Sequence, residues 1–197
     1  MKTRCELKAL ARSQIKGKIG LLFVMSLIIA GLYIVAGLVP VLGSVASAIL
    51  GAAVTLSLSM VFLKIVKGEE ITVCNVFYGF EDLWTAIKAQ FFMGLFVWLW
   101  SLLLIIPGII KAHSFSMTFF ILAENKGMPV LDAITLSRKM MDGHKMDLFI
   151  LFLSFIGWYI LVVITFGIAG IWVYPYCYAT MTNFYLSVKE DYAARLV

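Results

Sequence analysis

Long apolar runs alternate with polar links along this chain. Six runs can be drawn: Ile19–Val39, Leu42–Val66, Thr85–Ile106, Ile109–Ala123, Leu148–Ile164 and Ile168–Val188. Most approach the roughly 20 residues that a helix needs to cross about 30 Å of hydrocarbon. Three links are short and uncharged, at Val39–Gly43, Ile106–Ile109 and Thr165–Gly167. The links at 64–88 and 124–147 are polar and charged, as are both ends of the chain. This alternation predicts an all-α membrane bundle of six transmembrane helices arranged as three hairpins, in one domain over residues 1–197. One helix from Thr85 to Ala123 would hold 39 residues. It would reach about 58 Å, far beyond one bilayer, so Pro107 and Gly108 are expected to form a hairpin turn.

Two segments are amphipathic rather than apolar. Residues 1–18 form a basic lead-in. Thr3-Arg4-Cys5-Glu6 has the spacing of a capping box, and Lys8, Arg12 and Lys16 follow at intervals of four as a cationic stripe. This helix is expected to lie along the inner leaflet, either attracting anionic head groups or only fixing orientation. Residues 129–142 form the second. Val130, Ala133, Ile134, Leu136, Ser137, Met140 and Met141 share one side, and Asp132, Thr135, Arg138, Lys139 and Asp142 the other. Pro129 suits a first turn and Gly143 a stop. An interfacial helix, packed on the bundle and lipid or offered to a partner, is expected there.

Composition supports the bilayer as solvent. The chain has 197 residues, of which 62% are hydrophobic and only 14% charged, and its mean hydropathy is +1.00. Soluble domains are about half apolar and about a quarter charged. The net charge of +5 would suit nucleic acid, but its distribution excludes that reading. Fifteen of the 16 basic residues, and all 11 acidic ones, fall in the polar links and ends, with Lys111 the exception. The positive-inside rule then places both termini in the cytoplasm. The first run is longer than the 7–15 residues of a signal-peptide core, so it is expected to be a retained span. Cys5, Cys74 and Cys177 are too few and too scattered for a zinc site or a disulfide framework.

Within the runs, Gly43, Ser47, Gly51, Thr55 and Ser59 recur at spacing four, which lets helix backbones approach closely. A polar lining is the alternative. Pro175, in Tyr174-Pro175-Tyr176-Cys177-Tyr178, breaks one backbone hydrogen bond and marks a kink or a site. Asn183 is expected to bond to a neighbouring helix. No acidic residue lies deep in a run, and neither histidine, His113 nor His144, sits in a catalytic constellation. His144 is expected at the surface.

Several stretches together resemble one family. They are LLLIIPGIIKAHSFSMTFFILAEN (Leu102–Asn125), SRKMMDGHK (Ser137–Lys145), LSFIGWYIL (Leu153–Leu161), TFGIAGIWVYPY (Thr165–Tyr176) and NFY (Asn183–Tyr185). The basic LKALARSQIKGK start joins them. The chain is similar here to a bacterial integral membrane family, domain of unknown function 975. That resemblance implies a multi-helix protein of the bacterial cytoplasmic membrane with no assigned activity, hence no catalytic residues to transfer.

No cofactor or metal is expected, and no enzymatic activity. One reading is a membrane component that binds lipids, protein partners or its own copies. The other is a permease or flippase-like carrier of a small apolar or amphipathic molecule, suggested by hairpins that look like weak repeats and by the Pro175 break. A head-group enzyme built on Lys111 and His113 lacks a visible acid or metal partner. Under the three-hairpin topology Lys111 is the charged spot of the outer face, a candidate contact for lipid phosphate, with His113 slightly deeper.

Overall fold

The structure, a computed structural model, describes residues 3–38, 42–103 and 105–195, and among these it is helical with no strand. The order is α1 (Arg4–Ile15), α2 (Ile19–Gly37), α3 (Leu42–Lys67), a 3-10 turn (Val73–Phe77) leading into α4 (Tyr78–Glu81), α5 (Leu83–Leu103) and α6 (Ile105–Phe115). It continues with α7 (Thr118–Glu124), α8 (Val130–Met140), α9 (Lys145–Leu153), α10 (Ile156–Ile164) and α11 (Gly170–Ala194). Four stretches are long and apolar enough to cross a membrane: Ile19–Gly37, Gly43–Lys67, Leu83–Leu102 and Lys145–Ile164. The expected fourth run falls short because it is divided into α6 and α7. The sixth becomes α11, whose second half is more polar and runs on through Lys189, Glu190 and Asp191.

Both unexpected breaks have the same local chemistry. At the α6–α7 break, the Ser116 hydroxyl donates to the His113 carbonyl and Thr118 to that of Phe115. At the α9–α10 break, Ser154 donates to the Leu151 carbonyl. Such short-range hydroxyl bonds compete with the helical ladder and bend it. The turn to α6 also differs from expectation. Pro107 and Gly108 do not form it but lie in the first turn of α6, where a proline costs no helical hydrogen bond. A Cβ on Gly108 would meet Ser101 Oγ at 2.2 Å and its Cα at 3.0 Å, so this glycine lets α6 close onto α5. The expected turn at Pro40 lies outside the described residues.

The core joins the second half of α3, the whole of α7, the inner face of α8 and the second half of α11. Val61, Met117, Ile121, Met141, Leu148, Phe184 and Tyr185 are among its most buried side chains. Only 11% of the α2 span and of the α5 span is buried, against 61% for that of α3, which is the central helix. Trp98 and Trp158 stay exposed on α5 and α10, and Phe166 in the turn between α10 and α11. The capping box forms as expected: Glu6 N–H donates to Thr3 Oγ1 and Thr3 N–H to Glu6 Oε2 at 2.7 Å. Gly143 ends the α8 segment with φ +87°, a conformation glycine adopts without strain.

Candidate functional site

Helix α1 buries Leu7, Ala11 and Ile15, one position before each member of its cationic stripe. A step of 100° therefore puts the stripe beside the packed face rather than opposite it. Helix α1 packs along α11, and the stripe is divided. Lys8 Nζ donates to the Ser154 carbonyl at 3.3 Å, at the α9–α10 break, and lies 4.5 Å from the centre of the Phe155 ring. Arg12 lies over the Tyr176 ring at 5.8 Å. Arg12 and Lys16 also line an apolar groove of about 410 Å³, together with Trp158, Ile171, Trp172 and Pro175.

Pro175 also borders a second apolar groove, of about 440 Å³, between α2, α3 and α11. Phe23, Phe62 and Tyr174 contribute to its walls. The proline of α11 thus lines both apolar clefts. The two glycines of the small-residue row on α3 lie close against α2. A Cβ at Gly43 would lie 2.3 Å from the Ala36 carbonyl oxygen, and one at Gly51 would meet the Tyr33 hydroxyl at 3.3 Å. Thr55 and Ser59 return their hydroxyl protons to the carbonyls of Gly51 and Thr55. Ser47, in the same row, is half-buried.

The Lys111–His113 pair is not brought together. Two residues apart on one helix, their side chains diverge by about 200°. His113 packs against Phe149 and Phe152 of α9, with ring centres at 5.9 and 5.7 Å. Lys111 lies over the Trp100 ring at 4.3 Å and shares a cavity of about 290 Å³ with Arg138, Lys139 and Lys145. The expected topology puts Lys111 on one face of the bilayer and those three cations on the other. Their convergence on one cavity corrects that separation. The cause is α8, whose Ser137 hydroxyl donates to the Ser114 carbonyl at 2.8 Å and so folds the basic end of α8 back against α6.

Two polar clusters lie apart from these sites. Glu124, at the end of α7, accepts hydrogen bonds from Tyr185 at 2.7 Å and from Lys189, and pairs with Lys67 at 2.9 Å. Burial pushes its carboxyl up, but the donors from Lys189, Lys67 and Tyr185 outweigh this and hold it down at about 2. His144 is buried, not on the surface as expected. Arg195 Nη2 lies 2.8 Å from its Nε2 and 2.7 Å from Asp191 Oδ2, while its Nδ1 lies 3.4 Å from Asp147. These clusters fasten α3, α7, α9 and α11 at one end of the bundle. Sequence reasoning missed them because their members are spread from Lys67 to Arg195. The only signal was that Glu124 directly follows an apolar run.

The fold defines the class: an all-helical protein whose long apolar helices suit a membrane. The chain belongs to the family described as Protein of unknown function (DUF975), which matches residues 1–114 and 102–192. No curated protein and no solved structure matches it.

Proposed function

We propose that this chain is a non-enzymatic component of the bacterial cytoplasmic membrane that binds anionic phospholipid where α1 meets α11. One observation carries the reading. Arg12 and Lys16, both exposed, line an apolar groove together with Trp158, Ile171 and Trp172. Cations beside a hydrocarbon cleft fit a phosphate head group with its acyl chain, and paired tryptophans suit the interfacial depth at which the two meet. In this reading α2 with α3, α5 with α6–α7, and α9–α10 with α11 enter the bilayer as three hairpins. Both termini and the basic links face the cytoplasm, and the α5–α6 hairpin dips into the bilayer and returns without reaching the outer face, which keeps Lys111 and the Trp100 ring beneath it on the same side as Arg138. The test is mass spectrometry of lipids retained by the protein purified in neutral detergent. Arg12→Gln with Lys16→Gln should lower retained phosphatidylglycerol several-fold and leave zwitterionic lipid unchanged. Equal retention by the folded variant would overturn the reading.

A second reading rests on the second groove. Two apolar clefts flank Pro175, and a bend that tilts the first turns of α11 would open one as it narrows the other. That geometry suits a carrier of an apolar or amphipathic small molecule. Vesicles holding the purified protein alone would then move a fluorescent phospholipid between leaflets faster than empty vesicles. Equal rates would remove this reading and leave lipid binding standing.

A further inference from the structure

The cavity at the end of α8 has a charge balance that the fold does not account for. Four cations, Lys111, Arg138, Lys139 and Lys145, line about 290 Å³, with Asp142 the one carboxylate among them. Among the described residues the Asp142 carboxylate pairs only with Lys145, at 3.5 Å, and its side chain is 80% exposed, so the pairing is weakly held. Among the described residues, Lys111, Arg138 and Lys139 have no carboxylate within 4.0 Å. Lys67, Lys189 and Arg195 each have one. Gathering like charges without counter-charge opposes folding.

The negative end of the α8 dipole favours Arg138 and Lys139 in its last turn. It does not account for Lys111, which α6 supplies and which the Ser137–Ser114 bond brings alongside. Lys145, from the start of α9, closes the set. The cations therefore come from three helices and converge on one space. The two hydroxyls in the wall are spent locally: Ser114 donates to the Ile110 carbonyl and Thr135 to that of Leu131. Recognition falls to the charges.

We infer that Lys111, Arg138, Lys139 and Lys145 form a binding pocket for a phosphate group. The arginine fork matches two phosphate oxygens at once, and the lysines act as mobile point charges around the third. The volume lies at the small end of ligand pockets, which begin at roughly 300 Å³, and so suits a phosphate ester head rather than a large ligand. The Trp100 ring beneath Lys111 limits hydration on that side and sharpens the attraction. The phosphate has two sources, a phospholipid head group or a soluble phosphate. The inference is independent of the Arg12–Lys16 groove, which shares no residue with this cavity.

The experiment uses the whole protein in neutral detergent at fixed ionic strength. Binding is followed by thermal shift with inorganic phosphate in one arm and short-chain phosphatidylglycerol in the other, with chloride as the reference anion. Wild type should show a saturable rise with at least one phosphate probe that chloride does not reproduce. A response to inorganic phosphate assigns a soluble ligand, and a response to phosphatidylglycerol alone assigns a lipid head group. Lys111→Gln with Arg138→Gln should weaken the response about tenfold or more. Lys88→Gln with Lys126→Gln, which removes the same charge elsewhere, should leave it unchanged. Should the double variant fail to fold, the exposed Lys139→Gln replaces it, with a several-fold loss expected. No response to either probe overturns the pocket, and so does equal weakening by the pocket and control variants.

Discussion

Asn183 and Gln14 join side-chain amides across 169 positions of sequence. Asn183 Nδ2 donates to Gln14 Oε1 at 2.6 Å and to the Ala179 carbonyl at 3.0 Å, and Gln14 Nε2 donates back at 3.4 Å. The sequence predicts a bond from Asn183 to a neighbouring helix, and that bond forms. Its partner is the basic lead-in helix rather than another apolar run. The contact sets where α1 lies on α11, and so where Arg12 and Lys16 meet their groove.

Removing one member of this pair strands the other. Asn183→Ala should cost about 1 kcal/mol, the usual net worth of a side-chain hydrogen bond, since the Gln14 amide left behind is only half-buried. Thermal unfolding in detergent measures this, and trypsin should cut at Lys8 and Arg12 faster in the variant. Replacing both residues with leucine should recover most of the loss, because no polar group is then left unsatisfied. Full wild-type resistance in Asn183→Ala would show that α1 is held by Leu7, Ala11 and Ile15 alone.

Glu124 makes stability depend on acid. Its folded carboxyl is held down at about 2, below its ordinary 4.5. The contribution is complete above pH 4.5 and is lost as pH falls through about 2. It amounts to about 2 kcal/mol once solvent screening of the half-exposed lysines is allowed for. Glu124→Gln should lower the melting temperature at pH 7 and flatten its decline between pH 4.5 and pH 2. An unchanged acid slope in the variant would move the effect to other carboxylates.

Glycines separate by what surrounds them. A Cβ on Gly79 would lie 2.1 Å from the Ala53 carbonyl oxygen and 2.6 Å from Ser57 Oγ, which accepts the Gly79 N–H at 2.8 Å. Gly79→Ala should therefore destabilise by about 1–3 kcal/mol through overpacking against backbone. Gly20 and Gly94 have nothing within 4 Å of the added atom. Alanine there should stabilise by up to about 1 kcal/mol, the helical preference of alanine over glycine. Melting temperatures of the three variants test how closely α4 approaches α3; a neutral Gly79→Ala would rule out the tight contact.

What could be read from the residues was mostly local. The Thr3–Glu6 box, the Gly143 stop and the buried side of α8 each depend on residues within a few positions, and each forms. Val130, Ala133, Ile134, Ser137 and Met140 are buried together as their periodicity predicts. Apolar run length conveyed that helices suit a bilayer, but not that Ser116 and Ser154 would interrupt them, since a hydroxyl bond to a nearby carbonyl leaves hydropathy unchanged. Charge counting along the chain places Lys111 by its distance from a turn. It cannot see that α8 folds back to bring Arg138 alongside, because that contact depends on packing between distant segments.

The revised placement of Lys111 carries the clearest topological consequence. If Lys111, Arg138 and Lys145 share one cavity, they share one side of the membrane, whereas the turn at Phe166 and Gly167 lies between α10 and α11 with Phe166 97% exposed. Gly167 holds that turn at φ +90°, and its N–H donates to the Val162 carbonyl at 2.8 Å, so the reversal is well defined. With Cys5, Cys74 and Cys177 replaced by serine, single cysteines can be introduced at Lys111, Arg138 and Phe166. In intact bacteria, an impermeant thiol reagent should label Phe166→Cys and spare both Lys111→Cys and Arg138→Cys. Opening the cells should make those two positions reactive together. Labelling of Lys111→Cys from outside, with Arg138→Cys still protected, would separate the two residues across the bilayer and break the cavity apart.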